Sequence, residues 1–199
     1  MKPEVMSKKL LIYLVPALIV GVAAWLALKP HEPRPVEIGE SVPTFRLPLA
    51  GTSPAGTSRS SAQLSDYRGH VLVLNFWAPW CPPCVEEEPS LEDFAAKVRP
   101  IGVEVLGASE CHECAVADEE DPQTLGAFIS KFRITYPIAH DRSRTLATRY
   151  GTLQFPETYI IDRKGRLAEK IIGAYDWDDP RMLAFVRELA QPHEQQAAN

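Results

Sequence analysis

Residues 75–84 read Asn-Phe-Trp-Ala-Pro-Trp-Cys-Pro-Pro-Cys, and they join two segments of different pattern. The apolar run Val71–Phe76 leads into them, and the amphipathic segment Val85–Val98 follows. This order predicts a buried strand, a short turn and a helix that carries Cys81 and Cys84 at its N-terminus. There, free N–H groups and the positive end of the helix dipole stabilise a thiolate. The stretch therefore predicts an α/β domain that performs reversible thiol–disulfide exchange.

Several motifs, in this order, resemble those of a known family. The chain is similar to thioredoxin-like thiol–disulfide oxidoreductases of the TlpA/ResA/CcmG type, over roughly residues 38–190. The matching segments are Phe76–Cys84 with Glu87 and Pro89, Gly39–Leu47, Leu64–Gly69, and Phe155–Asp162. The resemblance implies a thioredoxin-like fold, in which helices flank a central mixed sheet and an N-terminal β-hairpin precedes it.

The composition indicates one globular domain and argues against a nucleic-acid-binding protein. The chain has 199 residues, of which 45% are hydrophobic, enough for a substantial core once an N-terminal segment is set aside. Its net charge is −5 and it has no basic stripe, whereas nucleic-acid binding needs clustered positive charge. The four cysteines form two Cys-x-x-Cys pairs, a spacing that suits either redox chemistry or a metal.

The N-terminal segment predicts a membrane anchor. Residues 10–28 form an uncharged run long enough to span a bilayer as one helix. Lys2, Lys8 and Lys9 precede it, which predicts a cytoplasmic segment at residues 1–9. The catalytic domain of this single-pass inner-membrane protein would then lie on the periplasmic side. The alternative is a cleaved signal peptide with a site at residues 22–24, although the apolar run continues beyond that site.

The rest of the chain predicts a linker, a domain and a tail. Residues 29–37 are proline-rich and form an extended spacer, residues 38–192 form the thioredoxin-like domain, and residues 193–199 form a flexible tail. Thr44–Leu49 predicts a strand, and Gly51–Ser61 predicts a hairpin loop. Further predicted strands are Val71–Phe76, Val103–Ala108, Thr158–Ile161 and Leu167–Ile172, and further predicted helices are Gln123–Phe132, Ser143–Tyr150 and Asp179–Ala190.

Cys81 and Cys84 are the predicted catalytic pair. The resemblance implies that Cys81 is an exposed attacking thiolate and that Cys84, one turn further, is the buried thiol that resolves the mixed disulfide. Trp80, Pro82 and Pro83 surround the pair and are expected to bind substrate. The alternatives are a structural disulfide, or half of a zinc site completed by the second cysteine pair.

Pro82 and Pro83 also predict the direction of electron flow. Each removes a backbone N–H from the start of the helix. With fewer donors, a thiolate on Cys81 is less stabilised and the reduced form is less stable, which favours a reductant.

Pro156 is predicted to follow a cis peptide bond, because an X-Pro bond that enters a strand fits a ladder poorly in trans. A trans proline on an edge strand is the alternative. The resemblance implies that Pro156 lies against Cys81 and acts in catalysis. It also implies that the backbone of Phe155 pairs with the substrate chain, and Glu157 is included in this substrate-binding segment.

Glu87 is the predicted proton relay for Cys84. Ordinary thioredoxins carry a buried Asp six residues before the first cysteine, a position held here by Asn75, which cannot titrate. The resemblance places the acid at Glu87, where burial would raise its pKa and allow proton transfer. The alternative is a carboxylate that merely favours the helix start, the interpretation given to Glu86 and Glu88.

Cys111 and Cys114 lie in an insertion, residues 109–121, that departs from the family pattern. A structural disulfide that pins this insertion is the first expectation, and a second redox pair or a metal site are the alternatives. No residue is assigned as a metal ligand.

The sequence therefore predicts an enzyme, a thiol–disulfide oxidoreductase whose redox-active Cys81–Cys84 disulfide needs no further cofactor. The resemblance implies protein disulfides, such as apocytochrome c cysteines, as substrates, and a membrane electron donor of the CcdA/DsbD type. Two alternatives remain: a copper- or zinc-binding chaperone that uses both cysteine pairs, and a peroxiredoxin-like thiol peroxidase. A peroxidase would need its cysteine beside a Thr and an Arg rather than inside Trp-Cys-x-x-Cys.

Overall fold

The computed structural model describes residues 13–23, 25, 34–50, 59–110 and 125–191. The chain divides into two compact units, residues 1–32 and 33–199. In the first unit, residues 13–23 form a helix, α1. Among the described residues, no helix is both long enough and apolar enough to cross a bilayer. The anchor predicted at residues 10–28 extends beyond the described part of α1 and stays a prediction.

A five-stranded mixed sheet forms the centre of the second unit, in the order β5–β4–β3–β6–β7. The strands are β3 (Val71–Trp77), β4 (Val103–Ser109), β5 (Ile138–His140), β6 (Glu157–Ile161) and β7 (Leu167–Ile172). Neighbours in the β3–β4–β5 half are parallel, and those in the β3–β6–β7 half are antiparallel. All seven residues of β3 are buried, as its apolar sequence predicts for a central strand.

The predicted N-terminal hairpin is present as a separate two-stranded sheet. β1 (Arg46–Pro48) pairs antiparallel with β2 (Ser61–Gln63). The Ala50 N–H donates to the Ile138 carbonyl oxygen at 2.8 Å, which joins the hairpin to the edge strand β5. Most of the predicted hairpin loop, residues 51–58, lies outside the described part.

Helices cover both faces of the sheet. They are α2 (Pro82–Val98), α3 (Leu125–Phe132), α4 (Thr145–Tyr150) and α5 (Pro180–Ala190), with short 3-10 helices at Leu64–Tyr67 and Arg99–Ile101. Val73 packs in one buried cluster with residues of α2, α3 and α5, whereas Leu74 packs in the other with α4 and the hairpin. The alternation along β3 thus supplies both cores. The sequence did not predict β5, because three residues are too few to show a strand pattern.

This topology fixes which loops meet. β3 and β6 are antiparallel, with Phe76 opposite Glu157, so the turn after β3 and the segment before β6 lie at the same edge of the sheet. β4 also ends there, because Trp77 is opposite Ser109.

Candidate active site

The predicted catalytic cysteines are joined in the structure. Cys81 caps the N-terminus of α2, and Cys84 is the third residue of that helix. Their sulfurs form a disulfide, and their Cα atoms are 5.3 Å apart. α2 begins at Pro82, so both cysteines lie at its N-terminus as predicted, and proline suits the first helical positions. The whole Cys-x-x-Cys motif is therefore held between β3 and the first turn of α2.

Backbone donors at this helix start are few. Pro82 and Pro83 occupy the first two helical positions and have no N–H. The first available N–H is that of Cys84, which lies 3.3 Å from Cys81 Sγ and 3.1 Å from the Cys81 carbonyl oxygen. A helix with other residues at these two positions would offer additional donors to a sulfur at its cap. The prolines therefore weaken the stabilisation of a Cys81 thiolate.

The cysteines are less accessible than the sequence suggested. Cys81 is 3% exposed and Cys84 is 1% exposed. The expectation of an exposed Cys81 is thus wrong for the disulfide form. A bond across one helical turn draws the Cys81 sulfur towards Cys84, which packs in the same core as Trp77. The accessible surface beside the pair belongs to Trp80, which is 60% exposed, and to Pro82.

The segment before β6 borders the same surface. The Phe155–Pro156 peptide bond is cis, which confirms that prediction. Pro156 is buried and Phe155 is half-buried. The ring of Trp80 meets the ring of Phe155 edge-on with their centres 6.1 Å apart, and the Arg144 guanidinium lies 5.5 Å from the Phe155 ring centre. Two of the predicted substrate-binding residues are thus in contact.

Glu87 lies inside the protein, 4% exposed, on the face of α2 that packs towards β3 and the segment before α5. The Asn75 amide donates to Glu87 Oε1 at 2.9 Å, and the Tyr175 backbone N–H donates to Oε2 at 3.0 Å. Burial raises the pKa of this carboxyl, and the two donors only partly offset that increase. A buried acid therefore lies one turn below Cys84, where a proton relay was predicted.

Glu88 is also buried, which contradicts the interpretation of this residue as an ordinary solvated carboxylate. It is 2% exposed, and the Tyr136 hydroxyl donates to its Oε1 at 2.6 Å. Burial raises its pKa to about 8, despite the Tyr136 hydrogen bond, and the nearby Glu87 carboxyl adds to the increase. Successive helix residues point about 100° apart, so a run of three glutamates cannot all face solvent. Only Glu86 does so here.

Glu157 does not present its side chain to the surface, contrary to the expectation for a substrate-binding residue. It is 1% exposed, and both carboxylate oxygens accept hydrogen bonds within the protein. Glu157 is the first residue of β6, and Lys170 on the neighbouring strand β7 forms an ion pair with its carboxylate.

The second cysteine pair, Cys111 and Cys114, lies outside the described residues, and its predicted disulfide stays a prediction. Over the ranges that the structure does describe, no three His, Cys, Asp or Glu side chains come together as a metal site requires.

The sequence did not identify the partners of the buried acids. Tyr136 lies between α3 and β5, and Tyr175 lies between β7 and α5, in segments without a recognisable pattern. One usable signal was the polar residue Asn75 inside an otherwise apolar strand, because a buried amide requires partners. Its amide group indeed bridges Glu87 and the Thr158 hydroxyl, the latter at 2.9 Å.

The chain is similar in sequence to known proteins. The sequence profile of the AhpC/TSA family matches residues 38–170. The thiol-disulfide oxidoreductase ResA of Oceanobacillus iheyensis is 31% identical over 153 residues, which cover 77% of this chain and 73% of that protein. The thioredoxin-like protein YneN of Bacillus subtilis is 28% identical over 174 residues, which cover 84% and 92% of the two chains.

Solved structures agree on the fold. The thioredoxin domain of a thiol-disulfide oxidoreductase from Bacteroides vulgatus superposes with a TM-score of 0.60 at 18% identity, over 76% of this chain and 99% of that one. This likeness confirms the predicted thioredoxin-like α/β fold. Together with the similarity in sequence, it shows that the chain belongs to the AhpC/TSA family and is a thiol–disulfide oxidoreductase of the TlpA/ResA/CcmG type.

Proposed function

We propose that this oxidoreductase works as a reductase of protein disulfides, with Cys81 and Cys84 as its redox pair. The observation that carries the proposal is the start of α2, where Pro82 and Pro83 leave the Cys84 N–H as the first backbone donor near Cys81 Sγ. A thiolate with fewer donors is less stabilised, which makes the reduced form a stronger electron donor.

The reaction proceeds in two exchanges. The Cys81 thiolate attacks one sulfur of the substrate disulfide, forms a mixed disulfide and releases the other substrate sulfur as a thiolate. Cys84 then loses its proton to Glu87 and attacks Cys81 Sγ, which breaks the mixed disulfide and releases the second substrate sulfur as a thiolate. The two substrate thiolates take up protons from Glu87 and solvent to give a dithiol, the enzyme is left with the Cys81–Cys84 disulfide, and two electrons have moved from enzyme to substrate. No cofactor besides the disulfide takes part.

The place of the reaction is part of the proposal. Lysines before the apolar run at residues 10–28 favour a membrane anchor with the catalytic domain in the periplasm. There the domain would reduce exported protein disulfides, such as that of the apocytochrome c Cys-x-x-Cys-His motif. A membrane electron donor of the CcdA/DsbD type would return two electrons to Cys81–Cys84.

Trapping tests both the substrate class and the order of the cysteines. With Cys84→Ser, the first exchange can occur but the second cannot, so a covalent adduct with an oxidised apocytochrome peptide should accumulate. Non-reducing mass spectrometry detects it, and Cys81→Ser serves as the matched control. The proposal fails if no adduct forms, or if the wild-type protein oxidises the dithiol peptide faster than it reduces the disulfide form.

A thiol peroxidase is the second candidate, and the match to the AhpC/TSA profile favours it. Peroxide consumption by the reduced protein distinguishes the two. We expect consumption no faster than in the Cys81→Ser variant, because a peroxidase cysteine is activated by a neighbouring Thr and Arg, whereas Cys81 stands inside Trp-Cys-Pro-Pro-Cys. Rapid, Cys81-dependent peroxide reduction would establish the peroxidase instead.

Replacement of Glu87 by Gln tests the proton relay. In the wild type, the second exchange should slow as the pH falls through the raised pKa of Glu87, because only the carboxylate can accept the Cys84 proton. Glu87→Gln should be slower by roughly tenfold or more above that pKa and should lack this acidic limb. Stopped-flow measurement of disulfide formation against pH provides the profile.

The matched control for this experiment is Glu86→Gln, on the exposed side of the same helical turn. A glutamine amide can accept only one of the two hydrogen bonds from Asn75 and Tyr175. Thermal stability is therefore measured in parallel. Superimposable pH profiles for wild type and Glu87→Gln would show that Glu87 has no part in proton transfer.

A further inference from the structure

A buried ion pair lies directly behind the cis-proline. Glu157 follows Pro156 and is the first residue of β6. Its Oε1 is 2.6 Å from Lys170 Nζ, and the Lys170 side chain, on β7, is 19% exposed. A carboxylate removed from water needs such a partner to remain charged. None of the steps proposed above uses either residue.

The second oxygen of Glu157 holds the segment in front of the proline. Glu157 Oε2 accepts from the backbone N–H of Leu153 at 3.3 Å. The Leu153 side chain is 86% exposed and makes no buried contact that could fix the segment by packing. The carboxylate therefore anchors the Leu153 end of residues 153–156, whereas the other end is held by Phe155, which packs on the core, and by the Gly173 N–H, which donates to the Pro156 carbonyl oxygen at 2.9 Å.

Tyr159 extends this anchor to the end of α4. Its hydroxyl lies 2.5 Å from Glu157 Oε1, 2.9 Å from the Tyr150 carbonyl oxygen and 3.2 Å from the Thr152 hydroxyl. The Lys170 ammonium also lies 4.9 Å from the centre of the Tyr159 ring. The network thus attaches both ends of residues 150–157 to the β6–β7 ladder.

We propose that Glu157 is a positioning residue for substrate binding: with Lys170 and Tyr159, it holds Leu153–Pro156 in the conformation that receives the substrate chain. This inference rests on the proposed function, in which the substrate backbone lies along Phe155. A preformed segment binds an extended chain without first losing conformational entropy. A small disulfide needs only the sulfurs and should not depend on the network.

Single-turnover kinetics test this role. Reduced protein is mixed with increasing concentrations of oxidised insulin or of a small aromatic disulfide. For Glu157→Gln, we expect the half-saturating insulin concentration to rise roughly five- to tenfold, with the limiting rate within about twofold of wild type. The rate with the small disulfide and the redox potential of the Cys81–Cys84 pair should not change. Glu169→Gln, on β7 next to Lys170, is the matched control.

Two outcomes overturn the inference: an unchanged half-saturating insulin concentration in folded Glu157→Gln, or equal losses with both disulfides. If Glu157→Gln does not fold, the same kinetics are measured with Tyr159→Phe, which removes the hydroxyl and keeps the buried ring. A smaller rise with insulin alone supports the inference, and no rise overturns it. Failure of the wild type to reduce insulin would instead refute the proposed function.

Discussion

Replacement of Cys81 by serine should lower the rate of disulfide reduction by roughly a thousandfold or more, to the background of the assay. A serine hydroxyl does not ionise near neutral pH and cannot form a disulfide, so neither exchange is possible. Cys84→Ser should also lose turnover, yet retain the first exchange and form the mixed disulfide. This asymmetry distinguishes the nucleophile from the resolving thiol.

The structure favours Cys81 as the nucleophile although both sulfurs are nearly inaccessible in the disulfide form. The Cys84 N–H lies 3.3 Å from Cys81 Sγ, so the helix start stabilises charge on that sulfur. Both sulfurs pack in the same core, but the chain neighbours of Cys81, Trp80 and Pro82, are exposed, whereas those of Cys84 are only half-buried. A substrate can therefore approach from the side of Cys81.

Alkylation of the reduced protein gives an independent measurement. We expect iodoacetamide to label Cys81 far faster than Cys84, as followed by peptide mass spectrometry. Both experiments are best carried out with Cys111 and Cys114 replaced by serine, so that only Cys81 and Cys84 contribute to the measured labelling and turnover. Equal labelling, faster labelling of Cys84, or residual turnover in Cys81→Ser would refute the assignment.

The sequence predicted those features that local pattern determines. The apolar run of β3, the prolines at the start of α2 and the Phe155–Pro156 dipeptide each carry their own structural preference, and each appears as expected. The pairing of β3 with β6 then brings the cysteines and the cis-proline to one edge of the sheet. This part of the site follows from topology alone.

Burial of Glu88 and Glu157 could not be predicted in the same way, and burial of Glu87 was implied only by the resemblance. Glu86, Glu87 and Glu88 are identical in type and adjacent in sequence, yet the last two face the interior. What distinguishes them is contact with Tyr175 and Tyr136, which come from distant segments. Glu157 resembled a surface residue because the lysine that neutralises it belongs to another strand. Tertiary contacts thus decide which charges are buried.

Glu88 should make the stability of this domain depend strongly on pH. In the unfolded chain its pKa is close to that of a free glutamate, whereas in the folded domain burial raises the pKa to about 8. Between these two values the folded state holds a proton that the unfolded state has released. The free energy of unfolding must therefore fall as the pH rises through this range.

Glu88→Gln removes the titration and keeps an oxygen that can accept the Tyr136 hydrogen bond. Near pH 5 the variant and the wild type should have similar stability, because the wild-type carboxyl is then neutral in the folded state. Near pH 9 the variant should be more stable by roughly 2–4 kcal/mol, since the wild type must either ionise a buried group or keep its proton at a cost. Denaturant unfolding at a series of pH values measures the difference.

Two other carboxyls lie near Glu88, and the comparison must separate their effects from that of Glu88. Glu87 and Glu92 both raise the pKa of Glu88, and Glu87 is itself shifted upwards by burial. These groups are common to the wild type and the variant, so the difference between their stability profiles reports the charge on Glu88 together with its coupling to Glu87. The exposed Glu86→Gln change, two residues away, should leave the profile unaltered. Parallel profiles for Glu88→Gln and wild type from pH 5 to pH 9 would contradict this prediction. They would mean that water or a rearrangement of Tyr136 stabilises the ionised carboxylate, so that Glu88 does not lower the free energy of unfolding at high pH.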